Sequence, residues 1–183
     1  MLTASIGLLV GCGGDKTTAP TGLAGQMGFS YTGALSGTFN VTGQMPATGQ
    51  ETSSWAAGEI VATGTDAGTF VLASTPRTAT THDLVFVQAN RTNAGTATID
   101  FDNCSASVCS TVFFLLGLNN GTTFTFLQDC YLQSGTITIT EVTSTRIRGT
   151  FSGAGTCSSS TGTQTSFTVT NGTFDVAIVP GVS

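Results

Sequence analysis

The chain has 183 residues, of which 8% are charged, with 10 acids against 5 bases and a formal net charge of -5. Hydrophobic residues reach 39% and Thr, Ser and Gly fill much of the rest, which is not the composition of a disordered chain. Lys16 is the only lysine and the basic residues form no run, so no stripe exists to neutralise phosphates and nucleic acid is not an expected partner.

In chain order, residues 1–11 come first and are almost all apolar or small. They are too few to cross about 30 Å of hydrocarbon as a helix, which needs about 20 residues. They suit instead the short apolar region of a signal peptide that ends at a small residue. The pattern Leu9-Val10-Gly11-Cys12 resembles the lipobox of bacterial lipoproteins, although no Lys or Arg precedes the apolar run. The resemblance implies cleavage before Cys12 and diacylation of its thiol, which would anchor the mature chain in a membrane. Several acyl chains hold stably where one does not, at about 0.8 kcal/mol per buried CH₂. Gly13 stands where an aspartate would resemble an inner-membrane retention signal, so the outer membrane or cell surface is the expected address. Residues 12–25 then read as the lipidated cysteine and a flexible tether. Residues 26–183 form one domain, long enough to bury a core.

From Gln26 onward the pattern is strand throughout: short runs of Thr, Val, Ile and Phe separated by Gly, Asn and Ser, with no helix. About a dozen candidates, from "GFSYTG" to "GTFDVAIV", have the spacing of an all-β protein, expected as a predominantly antiparallel β-sandwich with a β-barrel as the alternative. In "GTITITEV" Ile137 and Ile139 point one way and Thr136, Thr138 and Thr140 the other, giving one buried and one wet face. "VFFLLGL", Val112 to Leu118, is apolar on both faces and reads as a central strand covered on both sides. Asn120-Gly121 and Asn171-Gly172 read as two-residue hairpin turns, because both central positions of a type I′ turn need positive φ. The second turn would pair Val169 with Phe174 and Phe167 with Val176. Sequential hairpins imply a meander.

"SGTITITEVTSTRIRGTFSG" followed by "FTVTNGTFDVAIVP" resembles the end of a broad group of uncharacterised bacterial lipoproteins over residues 134–180. The resemblance implies an antiparallel β-sandwich on a lipid anchor and brings no activity. The repeated Gly-Thr-Phe units are irregularly spaced, so they read as one way of starting a strand rather than as an internal repeat.

Residues with chemistry are few. His82 is the only histidine and precedes a strand with Asp83 beside it, which reads as an exposed loop position. There is no Gly-x-Ser-x-Gly elbow, so no catalytic residue is expected. Asp100 and Asp102 sit two apart on an expected strand with Asn103 next, offering oxygens of the kind calcium prefers. Calcium takes six or more such ligands and this run supplies three or four, so the acids read as solvent-facing residues that discourage edge pairing. No metal and no cofactor is expected. Arg146 and Arg148 share a strand face with Thr150, read as solvated, with anion binding as the alternative; Trp55, the only tryptophan, reads as core.

Four cysteines follow Cys12, an even number that suits disulfides in an exported protein. Cys104 and Cys109 can close a small loop, leaving Cys130 with Cys157. Pairing "GTITITEV" with "RIRGTFSG" tests that assignment, because opposed residues have numbers with a constant sum. Ile137 opposite Phe151 gives 288 and Ile139 opposite Ile147 gives 286, whereas Cys130 and Cys157 give 287. The cysteines fall one residue from opposition, a slip that one bulge absorbs. The functional expectation is a lipid-anchored surface protein that binds a protein or glycan or acts as a scaffold. A subunit of an extracellular assembly using strand exchange is the alternative, and a hydrolase built on His82 a third.

Overall fold

A computed structural model describes residues 24–33, 36–46, 53–62, 67–104, 109–119 and 125–181. The expected signal peptide, Cys12, most of the tether and the Asn120-Gly121 turn lie outside the described residues. The described residues form ten strands and no helix: β1 (Gly25–Gly33), β2 (Gly37–Gly43), β3 (Trp55–Val61), β4 (Gly68–Pro76), β5 (Thr81–Ala89), β6 (Gly95–Asp100), β7 (Thr111–Asn119), β8 (Gln128–Val142), β9 (Arg146–Ser159) and β10 (Gln164–Ile178). Gly25, assigned to the tether by sequence, is already buried as the first residue of β1.

The fold is all-β and predominantly antiparallel, as expected. Among the described residues the one parallel ladder joins β10 to β3 through Ala177 opposite Ala57 and Ile178 opposite Gly58. All ten strands belong to one sheet whose ladders close through β10, β3, β4, β5, β7, β8 and β9; β2, β1, β10, β9, β8 and β6 form its first layer and β3, β4, β5 and β7 its second. The long strands β8 and β10 join them. Gln128 to Tyr131 of β8 pair with β7 and Ser134 to Ile139 with β6, while β10 follows β1 and β9 before its end reaches β3. The inner faces meet in one core, where Phe114 of β7 lies edge-on to Phe29 of β1 and Phe39 of β2 at 5.3 and 5.7 Å between ring centroids. Ile137, Ile139 and Ile147 are at most 1% exposed, each contributing about 1.5–3 kcal/mol of burial. At one corner the chain before β3 passes so close beneath β2 that a Cβ on Gly43 would strike the carbonyl of Ser54.

Three sequence expectations change. "TTFTFLQ" is not a strand of its own: Thr125 makes an isolated bridge to Asn119, and Gln128 already opens β8. β7 is central, between β5 and β8, but among the described residues its outer face is covered only in part. Val112, Phe114 and Leu116 are buried in the core, whereas Phe113 and Leu115 are half-buried on the outside; Leu118, also buried, lies past a register shift, opposite His82. Asn171-Gly172 is not a hairpin turn but a bulge in the middle of β10. Val169 faces Gly153 and Gly172 faces Phe151, so β10 carries one residue more than β9 across this step. Asn171 supplies the left-handed conformation, φ 54°, that such a bulge needs. The extra residue reverses the inside-outside parity, which is why Phe167 and Val169 before it and Phe174 and Val176 after it all point to the core. A Cβ on Gly172 would strike Phe151.

The β8–β9 register matches the expected one at Cys130 and Ile137, including the bulge between them. Cys130 faces Cys157, a shift falls between Leu132 and Ser134, and Ile137 then faces Phe151. A second shift between Ile139 and Glu141 places Ile139 opposite Gly149 rather than Ile147.

Candidate binding surface

Alternation buries the Ile, Phe and Val positions of the first layer and leaves the intervening Thr and Ser outward. The ladders align those hydroxyls across strands. Thr96 of β6 faces Thr138 of β8, Thr138 faces Thr150 of β9, and Thr150 faces Thr173 of β10. The Thr96 and Thr138 hydroxyls lie 3.0 Å apart. A second row runs Thr98, Thr136, Ser152, and beyond the bulge Thr170 faces Ser30 of β1, which faces Thr38 of β2. A shallow groove of about 540 Å³ crosses this face where β10 bulges, lined by Thr136, Thr150, Ser152, Thr170, Asn171 and Thr173. The bulge forms it by turning Thr170, Asn171 and Thr173 outward within four residues of chain.

The charges at the margin of this face neutralise one another. Arg146 Nε donates to Asp175 Oδ1 at 2.6 Å, Arg148 Nε donates to Asp175 Oδ2 at 3.0 Å, and Arg148 also pairs with Glu141. Burial alone would raise the Asp175 carboxyl, but its bonds to Arg146 and Arg148 outweigh that and hold it below the ordinary aspartate range. The alternative of an anion site at Arg146 and Arg148 is therefore corrected: both guanidiniums are already engaged by acids.

The outer face of the second layer is opposite in character. Leu72 of β4, Phe86 of β5, Phe113 of β7 and Tyr131 of β8 follow one another in register, and Leu84 faces Leu115 beside them. Phe101 packs on Tyr131 and Phe113 at 5.0 and 6.0 Å. Asp129, opposite Leu115 and Ser158, sits at the margin of this surface, where burial raises its carboxyl above the ordinary range. At one end of the sandwich a second recess of about 320 Å³ lies between the layers, lined by Tyr31, Ser36, Arg77, Leu116, Leu127 and Gln128. Leu127 is 59% exposed, and the Gln128 side-chain oxygen is buried without a hydrogen-bond partner.

The remaining residues singled out by sequence fall as follows. Asp100 ends β6 and Asp102 lies in the turn beyond it, so the two do not share a strand face as expected. The Asn103 amide donates to Asp100 Oδ1 at 2.8 Å, a local turn bond. Among the described residues no three His, Cys, Asp or Glu side chains gather where they could hold a metal ion. His82 is not in an exposed loop: it lies in β5 between Pro76 and Leu118, with Nδ1 buried and lacking a hydrogen-bond partner. Asp83 is engaged elsewhere, accepting from Arg77 Nε at 2.7 Å, from Arg77 Nη2 at 2.9 Å and from the Gly117 amide at 2.9 Å. Trp55 is 3% exposed in a small satellite core with Ala57. Cys104 pairs with Cys109 and Cys130 with Cys157, as expected.

The hydroxyl face was half legible in sequence. The outward Thr positions follow from alternation, but their alignment into rows depends on strand order and on the β10 bulge. Fold and bridges together define a disulfide-bonded, all-β, predominantly antiparallel protein, and the disulfides fit an oxidising, non-cytoplasmic environment. No helix of the described residues is long and apolar enough to cross a membrane. No family model matches the chain, nor does any curated protein or solved structure.

Proposed function

We propose that the protein is an exported β-sandwich, held at the outer membrane or cell surface by acyl chains on Cys12, that binds a glycan across its hydroxyl face and has no catalytic role. The observation that carries the reading is the in-register row Thr96, Thr138, Thr150, Thr173 beside the Asn171 groove. Aligned hydroxyls both donate and accept, so they match a neutral polyhydroxylated chain better than a charged one, and the neighbouring charges are already paired. The disulfides fit the exported address, and the lipobox resemblance supplies the anchor.

Retention on insoluble neutral polysaccharides tests the glycan reading, comparing the native chain with a Thr138→Val/Thr150→Val/Thr173→Val variant. Valine keeps the shape and strand preference and removes the hydrogen bonds. Three bonds of about 0.5–1.5 kcal/mol each imply a loss of roughly 10- to 1000-fold in affinity. Equal retention of both proteins, or of neither, sinks glycan binding at this face. Intact mass of the native protein tests the anchor separately: a diacylated Cys12 is expected, and an unmodified Met1 contradicts it.

A further inference from the structure

The first layer ends in two margins, β2 and β6. The β6 margin is guarded. It ends in Asp100, and Arg91 lies along it, donating to the carbonyls of Thr96 at 3.3 Å and Ala94 at 3.1 Å. Guanidinium and carboxylate groups there oppose the addition of another strand. β2 has no such guard: "GTFNVTG" contains no charge and no proline, and among the described residues only β1 pairs with it. A margin that is uncharged and, among the described residues, paired on one side is a template for strand addition.

We infer that the occupant is a second copy of this chain, joined by antiparallel pairing of β2 with β2 about a two-fold axis at Asn40. The segment is nearly palindromic about that residue: Gly37, Thr38, Phe39, Asn40, Val41, Thr42, Gly43. A two-fold there sets Thr38 opposite Thr42 of the second copy, Phe39 opposite Val41, and Asn40 opposite Asn40. Every cross-strand pair matches, hydroxyl with hydroxyl outside and apolar with apolar inside, as a self-complementary interface requires. Phe39 and Val41 are already turned into the core and Thr38, Asn40 and Thr42 are exposed, so the two sheets continue into each other without turning either over. The Asn40 side chain leans back over Gly28. The dimer would join the two hydroxyl faces into one surface, doubling the contacts offered to a long polymer.

Register-specific crosslinking of the full chain tests the pairing. Asn40→Cys is expected to form a disulfide-linked dimer by itself, since directly opposed side chains lie about 4.5–5.5 Å apart. Thr38→Cys and Thr42→Cys are each expected to stay uncrosslinked alone and to crosslink when mixed. Identical residues four positions off register are separated by about 13 Å, beyond the roughly 7 Å limit of a disulfide. All three positions are exposed, so folding tolerates the changes. Sedimentation gives an independent readout: Asn40→Lys and Asn40→Asp should each be monomeric and should form a heterodimer on mixing. A Thr38→Cys self-crosslink, no crosslink from Asn40→Cys, or an Asn40→Lys chain that remains dimeric overturns the proposal.

Discussion

The Cys130–Cys157 bridge ties β8 to β9 at the point where the register is set, and its removal is the most informative perturbation of the fold. The bridged residues are separated by 27 positions, and closing a loop of that length stabilises a chain by about 3.5 kcal/mol in the chain-entropy account. Cys104 and Cys109 are separated by 5, which gives about 2 kcal/mol. Burial widens the gap, because Cys130 and Cys157 are 1% and 3% exposed and alanine in their place leaves unfilled space in the core. At about 2–4 °C per kcal/mol for a domain of this size, Cys130→Ala/Cys157→Ala should lower Tm by about 7–14 °C or more, and Cys104→Ala/Cys109→Ala by about 4–8 °C. Thermal and urea unfolding of both variants beside the oxidised parent provide the comparison. A larger loss from the small loop than from the long one would refute the reasoning, as would a crossed linkage between Cys104 and Cys130 in non-reducing peptide maps.

Asn171 occupies a left-handed conformation that costs ordinary residues about 1–2 kcal/mol. Asn171→Gly should therefore leave urea stability nearly unchanged, while Asn171→Val should lose at least about that amount. Asp175, held below the ordinary aspartate range by Arg146 and Arg148, contributes stability that is present above the unfolded-state value and lost as pH falls through the folded one. Asp175→Asn should then destabilise at pH 7 and converge with the parent at strongly acid pH, read from denaturation midpoints across pH. Asp129 has the opposite sign: burial raises its carboxyl, so its favourable contribution is present at low pH and lost as pH rises through the raised value. Asp129→Asn should stabilise the protein near neutrality and have little effect in acid.

Strand content was legible because one period, apolar in and Thr out, runs through most of the chain. The β8–β9 pairing was legible at the bridge, since the match of Ile137 with Phe151 and that of Cys130 with Cys157 differ by a single residue and so located a bulge; the expected match of Ile139 with Ile147 failed because a second shift follows. Asn171-Gly172 misled for a physical reason: a hairpin and a one-residue bulge both demand positive φ, and both keep Phe167, Val169, Phe174 and Val176 on one face. The β9 and β1 ladders running through the position distinguish them. The partner shared by Arg146 and Arg148 was hidden because Asp175 lies on β10, 29 and 27 residues away. The parallel contact of β10 with β3 was hidden as well, since it spans most of the chain and rests on two residue pairs.

The central claim is that the hydroxyl face recognises the ligand. Amide chemical-shift mapping of the full chain tests it most directly, using a neutral oligosaccharide cut from whichever polysaccharide retains the protein. The expected shifts cluster on Thr96, Thr138, Thr150, Thr173 and Asn171, spare Leu84, Phe86 and Phe113, and vanish in the triple valine variant. Shifts confined to Tyr31, Arg77 and Gln128 at the end recess, or to the apolar face around Phe113, would contradict it.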